Sequence, residues 1–300
     1  MTDVEKHDRD GVRHALESYH YIHRDIYVDR IRRDNCKIFL DSGAFSAFTK
    51  GTEIDLPEYC EYVKRNFDIL EQVDGIPMFS VLDGIGDPQK TYDNQLLMEQ
   101  QGVRPLPCFH FGEDERWLEW YMSKYDYITI GGMVPISTPQ LYLWLDRIFD
   151  RYLTDGSGRP RIRVHGFGLT SIGLMERYPW YSVDSSSWVQ IASNGSIYIP
   201  DRATIQSQTR KGELDEGDGI TLSVSRASPN HKEAGRHLDT LTQIERQEIV
   251  KFLEGRGYEI ERLRHEYLAR WSFNCWSFTE LNNRTNRKDK VFIPEQPLLF

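Results

Sequence analysis

The chain has 300 residues, 39% of them hydrophobic and 28% charged, and its 46 acidic against 37 basic side chains give a formal net charge of −9. That balance describes an ordinary globular protein able to bury a core, and it excludes a surface built throughout for nucleic acid, leaving room only for a local basic groove. No apolar run reaches the roughly 18–20 residues of a membrane span. The opening MTDVEKHDRDGVRHALE is too polar for a signal peptide, and the four cysteines show no C-x-C or C-x-x-C spacing, so a cytoplasmic protein without zinc ribbon or disulfide framework is expected.

In chain order, residues 3–34 place Tyr, Ile and Leu at helical spacing among charges and predict mostly helix. A repeated pattern follows, in which a short apolar run leads into an amphipathic segment. The runs are CKIFLD (36–41), IPMFSVLD (76–83), RPLPCFHF (104–111), YITIGG (127–132), RIRVHGFG (161–168) and WYSVDSS (180–186). Strands alternating with helices predict βα units and a parallel sheet. GSIYIP (195–200) is expected to add a seventh strand, and ARWSFNCW (269–276) an eighth or a cap. The fold class is therefore α/β, a TIM-barrel-like (β/α)8 domain spanning 1–300 with a C-terminal helical and loop extension. Its core is expected at about 36–200, with 201–300 completing the barrel and facing nucleic acid. Within that last part, 201–235 reads as a long loop and 240–270 as a helix interrupted near Gly255–Gly257.

Ligands of parallel α/β folds bind at the carboxyl ends of the strands. The runs end on Asp41, Asp83, His110, Gly131–Gly132, His165 and Asp184. Any one such aspartate could simply cap the next helix, but three at equivalent places favour a shared site. Asp41 is followed by the small Ser42 and Gly43 and then by Phe45, which leaves space for a flat ligand with a ring to stack on it. Asp184 follows aromatic residues that desolvate it and precedes serines that can orient it, a setting suited to a nucleophile. Asp83 faces a glycine-containing loop and suits an amidine-like edge such as N1–H and the 2-amino group of guanine. Gly131 and Gly132 let backbone approach a ligand closely. His110 and His165 are read as groups that orient the ligand, at no recognisable metal-ligand spacing. Among the basic segments, NNRTNRKDK (282–290) is the best candidate for phosphate contact, through Arg284, Arg287 and Lys288.

The set FLDSGAFSAF, VLDGIGDP, PCFHFGE, IGGMV, VHGFGLTS and YSVDSSSW resembles the tRNA-guanine transglycosylase superfamily, over about residues 36–200. It is most similar to the phage-type (DpdA-like) branch that places 7-deazaguanine bases in DNA. The resemblance implies that Asp41 is the acid/base, Asp184 the nucleophile and Asp83 the reader of the guanine-like edge, with Gly131 and Gly132 contacting the base. His110 stands where the tRNA enzymes generally place a glutamine. Their C-x-C-x-x-C-plus-histidine zinc motif has no counterpart beyond Cys275, so no metal and no cofactor is carried over. The implied partners are DNA and a free 7-deazaguanine such as 7-cyano-7-deazaguanine. The implied reaction is base exchange through a covalent glycosyl–aspartate, with Phe45, Phe109, Trp180 and Trp188 as candidate pocket walls. The same chemistry on tRNA, a nucleoside or glycoside hydrolase on the same barrel, and a silent nucleic-acid-binding module are the alternatives.

Overall fold

A computed structural model describes residues 2–12, 14–200, 219–285 and 290–294. Strand-forming runs and capped amphipathic segments alternate along it as a mixed α/β chain with thirteen α-helices among the described residues. Close contacts divide the chain into two units. One comprises Arg13–Leu169, Tyr178–Asp184 and Lys290–Phe300, and the other Met1–Val12, Thr170–Arg177 and Ser185–Asp289.

In the first unit, β1 (His14–Ser18) pairs in parallel with β2 (Lys37–Asp41), Leu16 opposite Phe39 and Ser18 opposite Asp41. The two-residue strands β3 (Gln72–Val73) and β4 (Ile76–Pro77) form a hairpin whose Asp74–Gly75 turn has φ of 49° and 80°, as a tight Asp-Gly turn requires. Beyond it, Phe79 bridges Leu40 and Ser80 bridges Leu106, both in parallel. A four-stranded parallel sheet follows in the order β5 (Cys108–His110), β6 (Tyr127–Gly131), β7 (Arg163–Gly166), β8 (Ser182–Val183). The parallel pairings thus run without a break from β1 to β8.

Alternation along each strand separates two cores. Ile38 and Leu40 join Tyr59, Val63, Phe79 and Val81 on the helix-covered side. Phe39 meets Met78, Leu106 and Tyr127, with Leu16 and Phe167 packed against them, on the other. The rings of Phe39 in β2 and His165 in β7 are 4.5 Å apart. In a flat sheet those strands, four steps apart, would lie about 19 Å from each other. The sheet is therefore strongly curled, with the Phe39 side inward.

In the second unit, β9 (Ser196–Ile199) pairs antiparallel with β10 (Ile220–Ser223) over a core that includes Leu238, Leu253, Leu263 and Phe273. The N-terminal helix Asp3–Asp10 is tied in by Arg262, which donates to Glu5, and by Tyr258, whose hydroxyl donates to Asp8.

Residues 3–34 are mostly helical, as Asp3–Asp10, Tyr19–Ile22 and Asp25–Arg33, but His14–Ser18 between them is drawn into strand pairing by β2, although His-Ala-Leu-Glu-Ser has ordinary helix formers. Two further expectations are corrected. GSIYIP is a strand, but an antiparallel one of the second unit rather than a seventh parallel strand. ARWSFNCW lies inside the helix Tyr267–Thr285. The interruption near Gly255–Gly257 is present, between the helices Gln243–Gly255 and Ile260–His265.

Candidate active site

None of the three strand-end aspartates caps a helix. The capping work falls to Asp55, Asp87 and Asp114, whose carboxylates accept from Glu58, Lys90 and Arg116 backbone N–H groups at 2.8, 3.0 and 3.0 Å. Asp41, Asp83 and Asp184 are left to face the inner side of the curled sheet, in one unit and close enough for Asp83 and Asp184 both to act on the charge of Asp41.

Asp41 stands two residues beyond Phe39 and so shares its inward face. Its Oδ2 accepts from the Gly43 N–H at 3.0 Å, and its Oδ1 lies 3.4 Å from the Ser80 hydroxyl. Gly43 has φ of 77°, and a β-carbon there would stand 2.4 Å from Ser18 Oγ and 3.0 Å from the His20 backbone nitrogen. Only glycine closes this turn. Burial pushes the Asp41 carboxyl up to about 7, reinforced by the negative charges of Asp83 and Asp184 and opposed by the Gly43 and Ser80 hydrogen bonds.

Asp184 is held differently. Its Oδ1 accepts from the Gly168 N–H at 2.9 Å and lies 3.3 Å from Nε2 of the buried His165. Nδ1 of His165 is 2.7 Å from the Ser182 hydroxyl, which is 2.7 Å from the Tyr127 hydroxyl. One tautomer satisfies the whole chain: Tyr127 donates to Ser182, Ser182 to Nδ1, and the Nε2 proton points at Asp184. The buried His165 thus orients the half-buried Asp184, an arrangement of the sort that fixes a reacting carboxylate.

Between these acids lies a third cluster. His110 Nδ1 is 2.8 Å from Glu113 Oε1, and Nε2 is 3.4 Å from Asp83 Oδ2. Burial opposes a charge on His110, but neighbouring Cys108 and Asp83 outweigh it and raise its pKa. Burial in turn pushes the Cys108 thiol up to about 11. Gly131 is the floor: a β-carbon there would come within 3.1 Å of both Cys108 Sγ and His110 Cδ2. Gly132, at φ of 70°, would bring one to 3.0 Å from the Phe111 backbone nitrogen. Donor atoms of Asp83, Cys108 and His110 lie within 4.8 Å of one another, a set able to hold a metal ion. Sequence spacing hides it, because the donors come from two different strands' ends.

Among the described residues, the buried Ser18 Oγ, Ser42 Oγ and Asp83 Oδ1 have no hydrogen-bond partner within the protein and are available to a ligand or water.

The structure therefore brings Asp41, Asp83, His110, Gly131, Gly132, His165 and Asp184 to one face of one unit, while Ser42 is buried beside Asp41 with its backbone N–H donating to Ser80 Oγ. Phe45 instead lies on the exposed side of the helix Ala44–Thr49. Phe109 is buried, turned away and stacked on Trp144 at 6.0 Å, so it belongs to the core rather than to a pocket wall, and the half-buried Trp180 packs edge-on against Phe149 at 4.9 Å. Trp188 is in the second unit, stacked on Trp271. Arg284 lies in the last turn of the helix Tyr267–Thr285, and Arg287 and Lys288 lie outside the described residues. Sequence reasoning missed Ser80, Cys108, Glu113, Ser182 and Tyr127. Ser80, Cys108 and Ser182 were findable, since each lies on the inward-facing register of a run that ends in a site residue.

No protein-family model matches the chain, and no curated protein matches it in sequence.

Proposed function

We propose that this protein is a base-exchanging DNA transglycosylase, replacing guanine in DNA with a 7-deazaguanine, on a parallel sheet that closes as a (β/α)8 barrel. The observation that carries the reading is the pairing of two differently held carboxylates at strand ends. Asp41 has its pKa near 7, and Asp184 is fixed by Gly168 and His165. Environments that set two carboxyls apart in this way divide acid/base work from nucleophilic work.

An Asp184 oxygen attacks C1′ of the deoxyribose as the C1′–N9 bond to guanine breaks, and Asp41 gives its proton to the departing base. The product is a glycosyl ester on Asp184. The 7-deazaguanine then occupies the vacated pocket, Asp41 takes its N9 proton, and N9 attacks C1′ and expels Asp184. Two inversions give net retention. Asp83, with its free Oδ1, Ser42, His110 and the Gly131–Gly132 backbone surround the base, which a duplex presents by flipping the nucleotide out.

The experiment supplies DNA and labelled 7-cyano-7-deazaguanine, with tRNA in a parallel arm. The parent is expected to label DNA, and Asp184→Ala to lower the rate by roughly 10⁴-fold or more. Label in tRNA alone, free guanine without incorporation, or an undiminished Asp184→Ala would each defeat the reading.

A further inference from the structure

The short helix Ala44–Thr49, which leaves the Asp41 turn, is built inside out. Its buried residues are Ala44 and Ala47, while Phe45 and Phe48 are 57% and 63% exposed. Helical geometry sets Phe48, Phe45, Ser46 and Lys50 around one continuous outward arc. Large rings on the wet side and methyl groups on the dry side reverse the usual amphipathic order, so core packing does not account for the phenylalanines.

The helix Tyr19–Ile22 extends this face. Tyr21 is 52% exposed, and Lys50 Nζ stands 4.4 Å over its ring. His20 meets Tyr21 edge-on at 4.9 Å, and its Nε2 is 3.4 Å from Lys50 Nζ. Lys50 has no acidic partner among the described residues. The patch is anchored to the site itself, because the His20 backbone fills the space over Gly43, the residue whose N–H holds Asp41.

We propose that this face is a stacking platform for a single-stranded DNA segment, the nucleotides flanking the one presented to Asp41. Exposed rings accept bases of any sequence, and an unneutralised ammonium among them meets the phosphate. A protein partner fits less well, since lysine is depleted at the centres of such interfaces. The proposal takes the identity of the polymer from the base-exchange reading, but binding is measured without turnover.

The test is fluorescence anisotropy with a labelled single-stranded oligodeoxynucleotide of about 15 nucleotides. Phe48→Ala is expected to weaken binding roughly tenfold at every salt concentration. Lys50→Ala is expected to reduce the slope of log affinity against log salt by about 0.7. Both variants should melt with the parent, because neither side chain is buried. Failure of the parent to bind, parent-like affinity in both variants, or tighter binding of RNA of the same sequence would overturn the proposal. Oligonucleotide binding lost in the variants with no base exchange by the parent would defeat the catalytic reading and leave the platform standing. Base exchange with an unchanged KM for DNA in both variants would do the reverse.

Discussion

Asp41 sits where its charge is costly, since it is desolvated and shares its surroundings with Asp83 and Asp184. The unfolded chain gives up this proton near pH 4 and the folded chain near pH 7, so over that window the folded state binds the extra proton and stability falls as pH rises. Asp41→Asn should therefore match the parent below pH 4 and exceed it above pH 7, by up to about 4 kcal/mol, in urea denaturation at the two ends. Activity should show the opposite preference. Exchange needs the protonated carboxyl for departure of guanine and the carboxylate for entry of the new base. The parent rate should peak near pH 7, and Asp41→Asn should lose both the rate and the limb, as followed by label incorporation across pH 5–9.

At the level of elements, the strand ends were readable because apolar runs stop abruptly on polar residues, and Asp41, His110 and Asp184 are all such stops. What stayed hidden is whatever depends on neighbours across the sheet. His14–Ser18 reads as helix until β2 is beside it, and Tyr267–Thr285 reads as possible strand in its aromatic stretch until its length is seen. The donor cluster of Cys108, His110 and Asp83, and the chain from Tyr127 to Asp184, join separate runs and leave no spacing to find. Phe109 misled because hydrophobicity near a site does not say which face of a strand it occupies. Gly131 shows what the pairing of strands adds. Its backbone is not left-handed, so Gly131→Ala should fold, with thermal melting within a few degrees of the parent. The methyl group would occupy the space beside Cys108 Sγ and His110. KM for the free base should rise about tenfold or more while kcat changes less, the signature of lost ground-state binding.

On the scale of the whole molecule, each unit keeps its own polar accounts. In the second, Asn274 is fully buried, its Oδ1 accepts from Tyr198 N–H at 2.9 Å, and its Nδ2 donates to Trp188 O at 3.0 Å. Asn274→Ala would strand both backbone groups and should cost about 2–3 kcal/mol. Trp188, stacked on Trp271 at 5.5 Å, provides a fluorescence signal for that unit's denaturation. In the first unit the accounting is by parity. Phe39 and Asp41, Cys108 and His110, and Ser182 and Asp184 all occupy alternate positions that share one side of their strands. That arrangement makes the site far more sensitive to length than to spelling. One residue inserted within Lys37–Asp41 would turn Leu40 toward the ligand and Asp41 toward the helices, undoing chemistry and core together. A library of single insertions and deletions should accordingly show sharp intolerance inside the parallel strands, while the loops between them accept changes of length.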